Sequence, residues 1–330
     1  MTSVSSKRIT DPGHARGVGL VLLSAVGFAL MAVFAKKAYA AGVSVPTLLA
    51  LRFALAAGAF WVIVAIRSRP PDGHAPPGRP ARRLIAGGLA LGAFGYALEA
   101  AAFFGALSRM DASLTSLLLY IYPALVFAGA VAVGRERPDR ARIAALAAAS
   151  AGVALVLAGG ARGTLDPVGV ALAAFSAVSY AAYVLISDRI IGRVDPVRLG
   201  ALVTTGAAAA FWSYCLLTGG PDLGFAAVGW GWIVALALVS TVGAISTFAL
   251  GMRRIGPATA SIVSSVEPVI TVGLVMAIFG ERLAPVQLAG GALVLVAVIL
   301  LQRSTSVRTN VAPADLPAPA AARATAQSAA

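Results

Sequence analysis

Glu267 stands at the middle of residues 253–282, a stretch apolar enough to cross a bilayer, with Pro268 directly behind it. A carboxylate in hydrocarbon costs about 2.5–3.5 kcal/mol on insertion scales, so it is expected to face a bundle interior or a wet cavity. Pro268 has no N–H, and its ring clashes with the carbonyl four residues back, that of Ser264, which frees a polar backbone group beside the acid. In a continuous helix Ser264, Glu267 and Thr271 share one face. Two chemistries fit the grouping. The carboxyl binds substrate or exchanges a proton within a pathway, or it is a structural group on a kinked helix, satisfied by a neighbour. Both stay open on these residues alone.

Two more charges lie among apolar residues, Arg52 and Glu99. Each is about seven residues from the same end of its span, roughly 10–12 Å deep at 1.5 Å rise per residue. They are expected to pair, either as a structural ion pair or with Arg52 meeting an anionic substrate while Glu99 tunes it. Glu99 shares a small-residue face with Gly88, Gly92 and Gly95. Tyr180 and Tyr183 fall on one hydroxyl-rich stripe with Ser176, Ser179 and Ser187. Together with Tyr120 they are candidate pocket walls, the alternative being aromatic packing.

Several chemistries are excluded. The histidines, His14 and His74, lie in polar segments, so neither His-based intramembrane proteolysis nor an HExxH zinc site is available. No paired aspartates occur in the spans. None of the three lysines (Lys7, Lys36, Lys37) has a phosphate-loop context, so an ATP-driven pump is not indicated. Cys215 is the lone cysteine, so no internal disulfide forms. We expect no enzymatic activity, no cofactor and no metal.

The elements that position these residues follow from composition. The chain has 330 residues, 59% hydrophobic and 12% charged, against about a quarter charged in soluble domains. Ten apolar stretches, from 18–35 to 284–301, approach or exceed the ~20 residues of a membrane span. Alternating strands of a barrel are not seen. The net charge of +13 is topological. With the N-terminus inside, twenty Lys and Arg fall on that side and five on the other, while Arg52 is within a span. Basic flanks stay cytoplasmic, so both termini are expected in the cytoplasm of a multi-pass plasma-membrane protein, with no nucleic-acid partner. The first span is expected to be retained, because Lys36 and Lys37 sit where a cleavage region should be uncharged. Residues 1–16 and the Ala/Pro/Ser-rich 303–330 are expected as disordered tails, the first cytoplasmic.

The chain repeats itself. A shift of 145 residues carries Phe103, Arg109, Ser116, Pro123, Glu136 and Arg137 onto Phe248, Arg254, Ser261, Pro268, Glu281 and Arg282. The halves, 17–160 and 166–302, hold five spans each, and an odd number inverts the second copy. The expected fold is all-α integral membrane, ten transmembrane helices as two inverted five-helix repeats. Pro123 and Pro268 are then paired helix breaks, the strongest sequence pointer to a midplane site. Glu136-Arg137 and Glu281-Arg282, at span ends, are expected as interfacial anchors and loop-ordering pairs.

The sequence resembles EamA-type members of the drug/metabolite transporter superfamily. The resemblance rests on ALRFALAAG at 50–58, FFGALSRMDASLTSLLLYIYPAL at 103–125 with GRER at 134–137, and SVEPV at 265–269 with FGER at 279–282. It implies two inverted repeats around a central pocket and export or exchange of small metabolites. The expected function is a secondary, non-ATP transporter of a small metabolite or drug-like solute, an exporter or proton-coupled exchanger working by alternating access. A membrane channel or a structural membrane subunit is the alternative. The expected partners are the lipid bilayer and a small-molecule substrate, with the chain a monomer or homodimer.

Overall fold

The computed structural model describes residues 12–67, 82–136, 139–159, 166–191 and 195–309. Residues 1–11 of the expected N-terminal tail, the 68–81 loop with His74, Arg137, Arg162, Arg193 and the tail from 310 lie outside the described residues, while residues 12–16 and 303–309, expected within disordered tails, are helical continuations of the adjoining spans. All regular structure among the described residues is helical. Among the described residues nine helical runs are long and apolar enough to cross a membrane, and a tenth apolar run, Pro285–Leu301, is shorter. Large side chains such as Phe94 and Leu217, 74% and 86% exposed, stud the outer surface, as befits a molecule whose solvent is lipid.

The first half comprises α1 (Pro12–Ala40), α2 (Val45–Arg67), α3 (Arg82–Ala90), a π-helical turn (Leu91–Tyr96), α4 (Ala97–Leu107), α5 (Ala112–Leu119), α6 (Tyr122–Ala132) and α7 (Arg140–Gly159). The second comprises α8 (Pro167–Ile191), α9 (Pro196–Leu217), α10 (Val228–Ala237), a second π-helical turn (Leu238–Gly243), α11 (Ala244–Ile255), α12 (Pro257–Ser264), α13 (Glu267–Phe279) and α14 (Pro285–Thr309). Starts and stops are written locally. Asp195-Pro196 opens α9, the Asp195 carboxylate accepting from the N–H groups of Val197 and Arg198 at 3.0 and 3.3 Å. Asp166-Pro167 does the same for α8. An Asp cap fills orphan donors, and proline tolerates the first turn because its missing N–H would have had no partner there. Gly280, at φ 68°, ends α13.

Helix pairs approach closely where glycines meet. The Cβ that Gly92 lacks would lie 2.1 Å from the Val203 carbonyl oxygen, and that of Gly206 would lie 2.1 Å from the Leu89 oxygen. The π-helical turn thus lies directly on α9. Such small-residue contact replaces the hydrophobic drive that lipid cannot supply. Elsewhere α7 packs along α14, α2 along α9, α1 along α11 and α4 along α8.

Two spans are interrupted. Residues 120–121 separate α5 from α6, and residues 265–266 separate α12 from α13; Pro123 and Pro268 lie in the first turn of the following helix. Each proline therefore opens a new helix and does not kink a continuous one. This corrects the expected common face, since Ser264 ends α12 while Glu267 and Thr271 belong to α13. At one end of α1, Lys36 Nζ donates to the Met110 carbonyl ahead of α5 at 2.8 Å, and Lys37 lies over the Phe279 ring. At the other end, Gly17 abuts Ile255, just ahead of α12.

Candidate functional site

The first interruption and the start of α13 face a cavity of about 90 Å³ between the two halves. Its walls come from α1 (Phe28, Met31), α2 (Arg52), the first π-helical turn (Tyr96), α4 (Glu99, Phe103, Phe104), the α5–α6 region (Leu119, Tyr120, Tyr122), α8 (Tyr180) and α13 (Glu267). A smaller cavity of about 20 Å³ shares Tyr120, Tyr122 and Glu267 and adds Pro123, Ser264 and Ser265. Glu267 lines both. As the first residue of α13 it stands at a helix N-terminus, and Tyr120 lines both cavities beside it. A carboxyl held there, shared by the two cavities, is placed to bind a cation or to exchange a proton.

Arg52 is 1% exposed. Its Nε donates to Thr241 Oγ1 at 3.0 Å and its Nη2 lies 3.4 Å from Met31 Sδ. The guanidinium carbon sits 4.8 Å from the ring centroids of both Phe53 and Phe104. Two aromatic faces therefore help to hold the buried cation, an arrangement worth more when desolvated. Arg52 and Glu99 share the cavity but form no salt bridge; the ion pairs among the described residues are Arg109–Asp166 and Arg142–Glu136. The expected pairing is corrected to a looser neighbourhood, with Glu99 accepting from Ser176 Oγ at 3.3 Å. Equal depth sets only the height of a side chain. Helix rotation and Thr241 decide where the guanidinium goes.

Tyrosines form the rest of the wall. Tyr122 meets Tyr180 edge-on at 4.6 Å, Tyr180 stacks on Tyr183 at 5.9 Å, and Tyr183 contacts Tyr96 at 5.4 Å. Tyr120 and Tyr180 line the larger cavity, whereas Tyr183 stands behind Tyr180 and Tyr96. Ser264 lines the smaller cavity, its hydroxyl donating to the Ser261 carbonyl at 2.9 Å. Thr271 lines neither, and its hydroxyl is spent on the Glu267 carbonyl at 3.0 Å.

Sequence reasoning missed Tyr96 and Thr241. Tyr96 is three residues ahead of Glu99, a spacing that could have flagged it. Thr241 had no local signal. It is delivered by the second π-helical turn, where its hydroxyl also donates to the Leu236 carbonyl five residues back at 3.0 Å, and such turns recur at functional sites. Among the described residues no group of three or more His, Cys, Asp or Glu side chains could hold a metal.

Beyond the cavity, the expected Glu281–Arg282 loop pair is replaced by a cap. Glu281 Oε1 and Oε2 accept from the N–H groups of Ala112 and Ser113 at 2.9 and 3.0 Å, at the start of α5. Glu136 pairs with Arg142 at 2.7 Å.

Residues 15–158 and 167–303 each match the model of the EamA-like transporter family. The chain is 28% identical over 284 residues to the "Uncharacterized transporter YcbK" of Bacillus subtilis, covering 84% of this chain and 89% of the relative. It is 31% identical over 228 residues to an "Uncharacterized transporter" of Archaeoglobus fulgidus, covering 68% and 78%. A solved structure titled "Crystal structure of protein" shares the fold, with a TM-score of 0.59 at 19% identity over 90% of this chain and 99% of that one.

Proposed function

The chain belongs to the EamA-like transporter family, of the drug/metabolite transporter superfamily, and from that premise we propose a secondary transporter of a small metabolite or drug-like solute. It works by alternating access and exports or exchanges its substrate against protons. The observation that carries this reading is the pair of cavities closing on Glu267 at a helix interruption, with a second interruption at residues 120–121 on the facing wall. Arg52, Glu99 and Glu267 give the site charges of both signs amid tyrosine and phenylalanine rings, suited to a polar or amphipathic solute. Glu267 carries the coupling proton, and Arg52 meets an anionic group of the substrate.

Ten spans in two inverted five-helix repeats are the architecture we assign. Support comes from the 145-residue repeat, from the two matched segments, and from the contacts that put α5 and α12 at opposite ends of α1. Both termini are cytoplasmic in this reading, by the distribution of Lys and Arg, the membrane is the plasma membrane, and the unit is a monomer or homodimer. Catalysis has no part in it.

The test compares metabolites retained and released by cells with and without the protein, then loads each differing metabolite into proteoliposomes. Saturable flux that responds to an imposed pH gradient without ATP is expected. Unsaturable ionic conductance, or no solute flux at all, would favour the channel or structural alternative.

A further inference from the structure

The two halves repeat most of their helix contacts, with exceptions. The contacts of α1 with α11, α12 and α13 recur as contacts of α8 with α4, α5 and α6. In contrast, α5 packs on α13, while their counterparts α12 and α6 form no comparable contact. The side of the bundle where α5 begins is therefore sealed, and the side where α12 begins lacks the equivalent seal.

The sealed side is tied by charge. Glu281, just past the end of α13, takes both leading N–H groups of α5 with its two oxygens, a charge-assisted cap at a helix N-terminus. Asp111, which precedes α5, lies within the field of the same carboxylate. Burial first and the Glu281 charge second push its carboxyl up, with Lys36 opposing. The 145-residue shift carries Glu281 onto Glu136 and Ala112-Ser113 onto Pro257-Ala258. Glu136 makes no such cap. It is held by Arg142, a 1%-exposed side chain whose Nε and Nη2 have no partner. The N-cap of α12 is Gly256, which has no side chain to offer.

We propose that Glu281 and Glu136 are reciprocal latches. Glu281 on α5 holds one gate shut in the state described, and Glu136, parked on Arg142, takes up the first turn of α12 when the other gate shuts. The proposal rests on the transporter reading. The latches are unequal, because Pro257 removes one of the two N–H groups that Glu136 would need. The state with α5 latched is accordingly the resting one.

The test uses full-length protein carrying Cys215→Ser and a reporter, Phe103→Cys, on the cavity wall. A membrane-impermeant maleimide is applied to intact cells and to inverted vesicles, and the labelling rate is read from each face. With both glutamates present, labelling should be faster from the α12 face. Glu281→Ala should raise labelling from the α5 face about tenfold, the scale of a lost charge-assisted hydrogen bond. Glu281→Gln, which keeps an acceptor oxygen, should fall between. Glu136→Ala should lower α5-face labelling below the starting value. General loosening cannot produce opposite signs. If Glu281→Ala does not fold, Glu281→Gln against Glu136→Gln gives the same contrast. Absence of labelling from either face would overturn the transporter reading, and equal labelling from both faces before either substitution would overturn the latched resting state. One-sided labelling that neither substitution moves, or that both move the same way, would overturn the latches alone.

Discussion

Arg52 and Thr241 lie 189 residues apart in sequence, yet the arginine Nε donates to the threonine hydroxyl at 3.0 Å. The buried cation of the first half is thus oriented by the π-helical turn of the second. Replacing the hydroxyl leaves a buried donor without a partner, which costs about 1–3 kcal/mol or more for a charged group. Thr241→Val should lower the unfolding temperature in detergent and raise the substrate concentration for half-maximal transport, while Thr241→Ser should restore both. Equal behaviour of Val and Ser would show that the hydroxyl does not hold Arg52.

Gly92 and Gly206 sit at a crossing with no room for a side chain. Gly92→Ala would press a methyl group on the Val203 carbonyl oxygen, and backbone cannot yield as a side chain can. Overpacking of this kind costs about 1–3 kcal/mol, occasionally more. Gly92→Ala should reduce the yield of monodisperse protein on gel filtration. Gly58→Ala, where nothing lies within 4 Å, serves as the control and should leave the yield unchanged.

Asp166 titrates outside the membrane. Its carboxylate accepts from Gly169 and Val168 and faces Arg109, and these hold it below the usual carboxylate range despite an opposing effect of burial, the Gly169 hydrogen bond being the largest cause. A depressed folded-state value stabilises above the unfolded value of about 3.9, and the contribution is lost as pH falls through the folded value. Asp166→Ala should therefore melt below the unmodified protein at neutral pH, with the gap narrowing steadily in acid. A gap independent of pH would rule out the charge as its source.

These sites differ in how far the sequence discloses them, and the reason is the range of the forces involved. The proline effect is local, so Pro123 and Pro268 mark their neighbourhoods without help from the rest of the chain. Asp166-Pro167 and Asp195-Pro196 are equally local, and hydropathy delimits the apolar runs because each must cross lipid alone. Arg52 is different. Its depth can be counted in residues, but its partner is chosen by how α2 is rotated against the second π-helical turn, and nothing near Arg52 specifies that. The same limit applies to Glu281, which caps a helix 169 residues earlier in the chain. The face expected for Ser264, Glu267 and Thr271 assumes an unbroken helix, and the break at residues 265–266 removes the assumption.

Glu267, shared by the two cavities, is proposed to carry the proton that drives transport. Glu267→Gln keeps the volume and a polar head beside Tyr120 but cannot ionise, so expression and unfolding temperature should stay close to those of the unmodified protein. The decisive measurement is uptake of the screened metabolite into proteoliposomes with and without a pH gradient, for both proteins side by side. Gradient-stimulated uptake that disappears in Glu267→Gln is the predicted result. Equal rates and equal pH response in the two proteins would contradict the account.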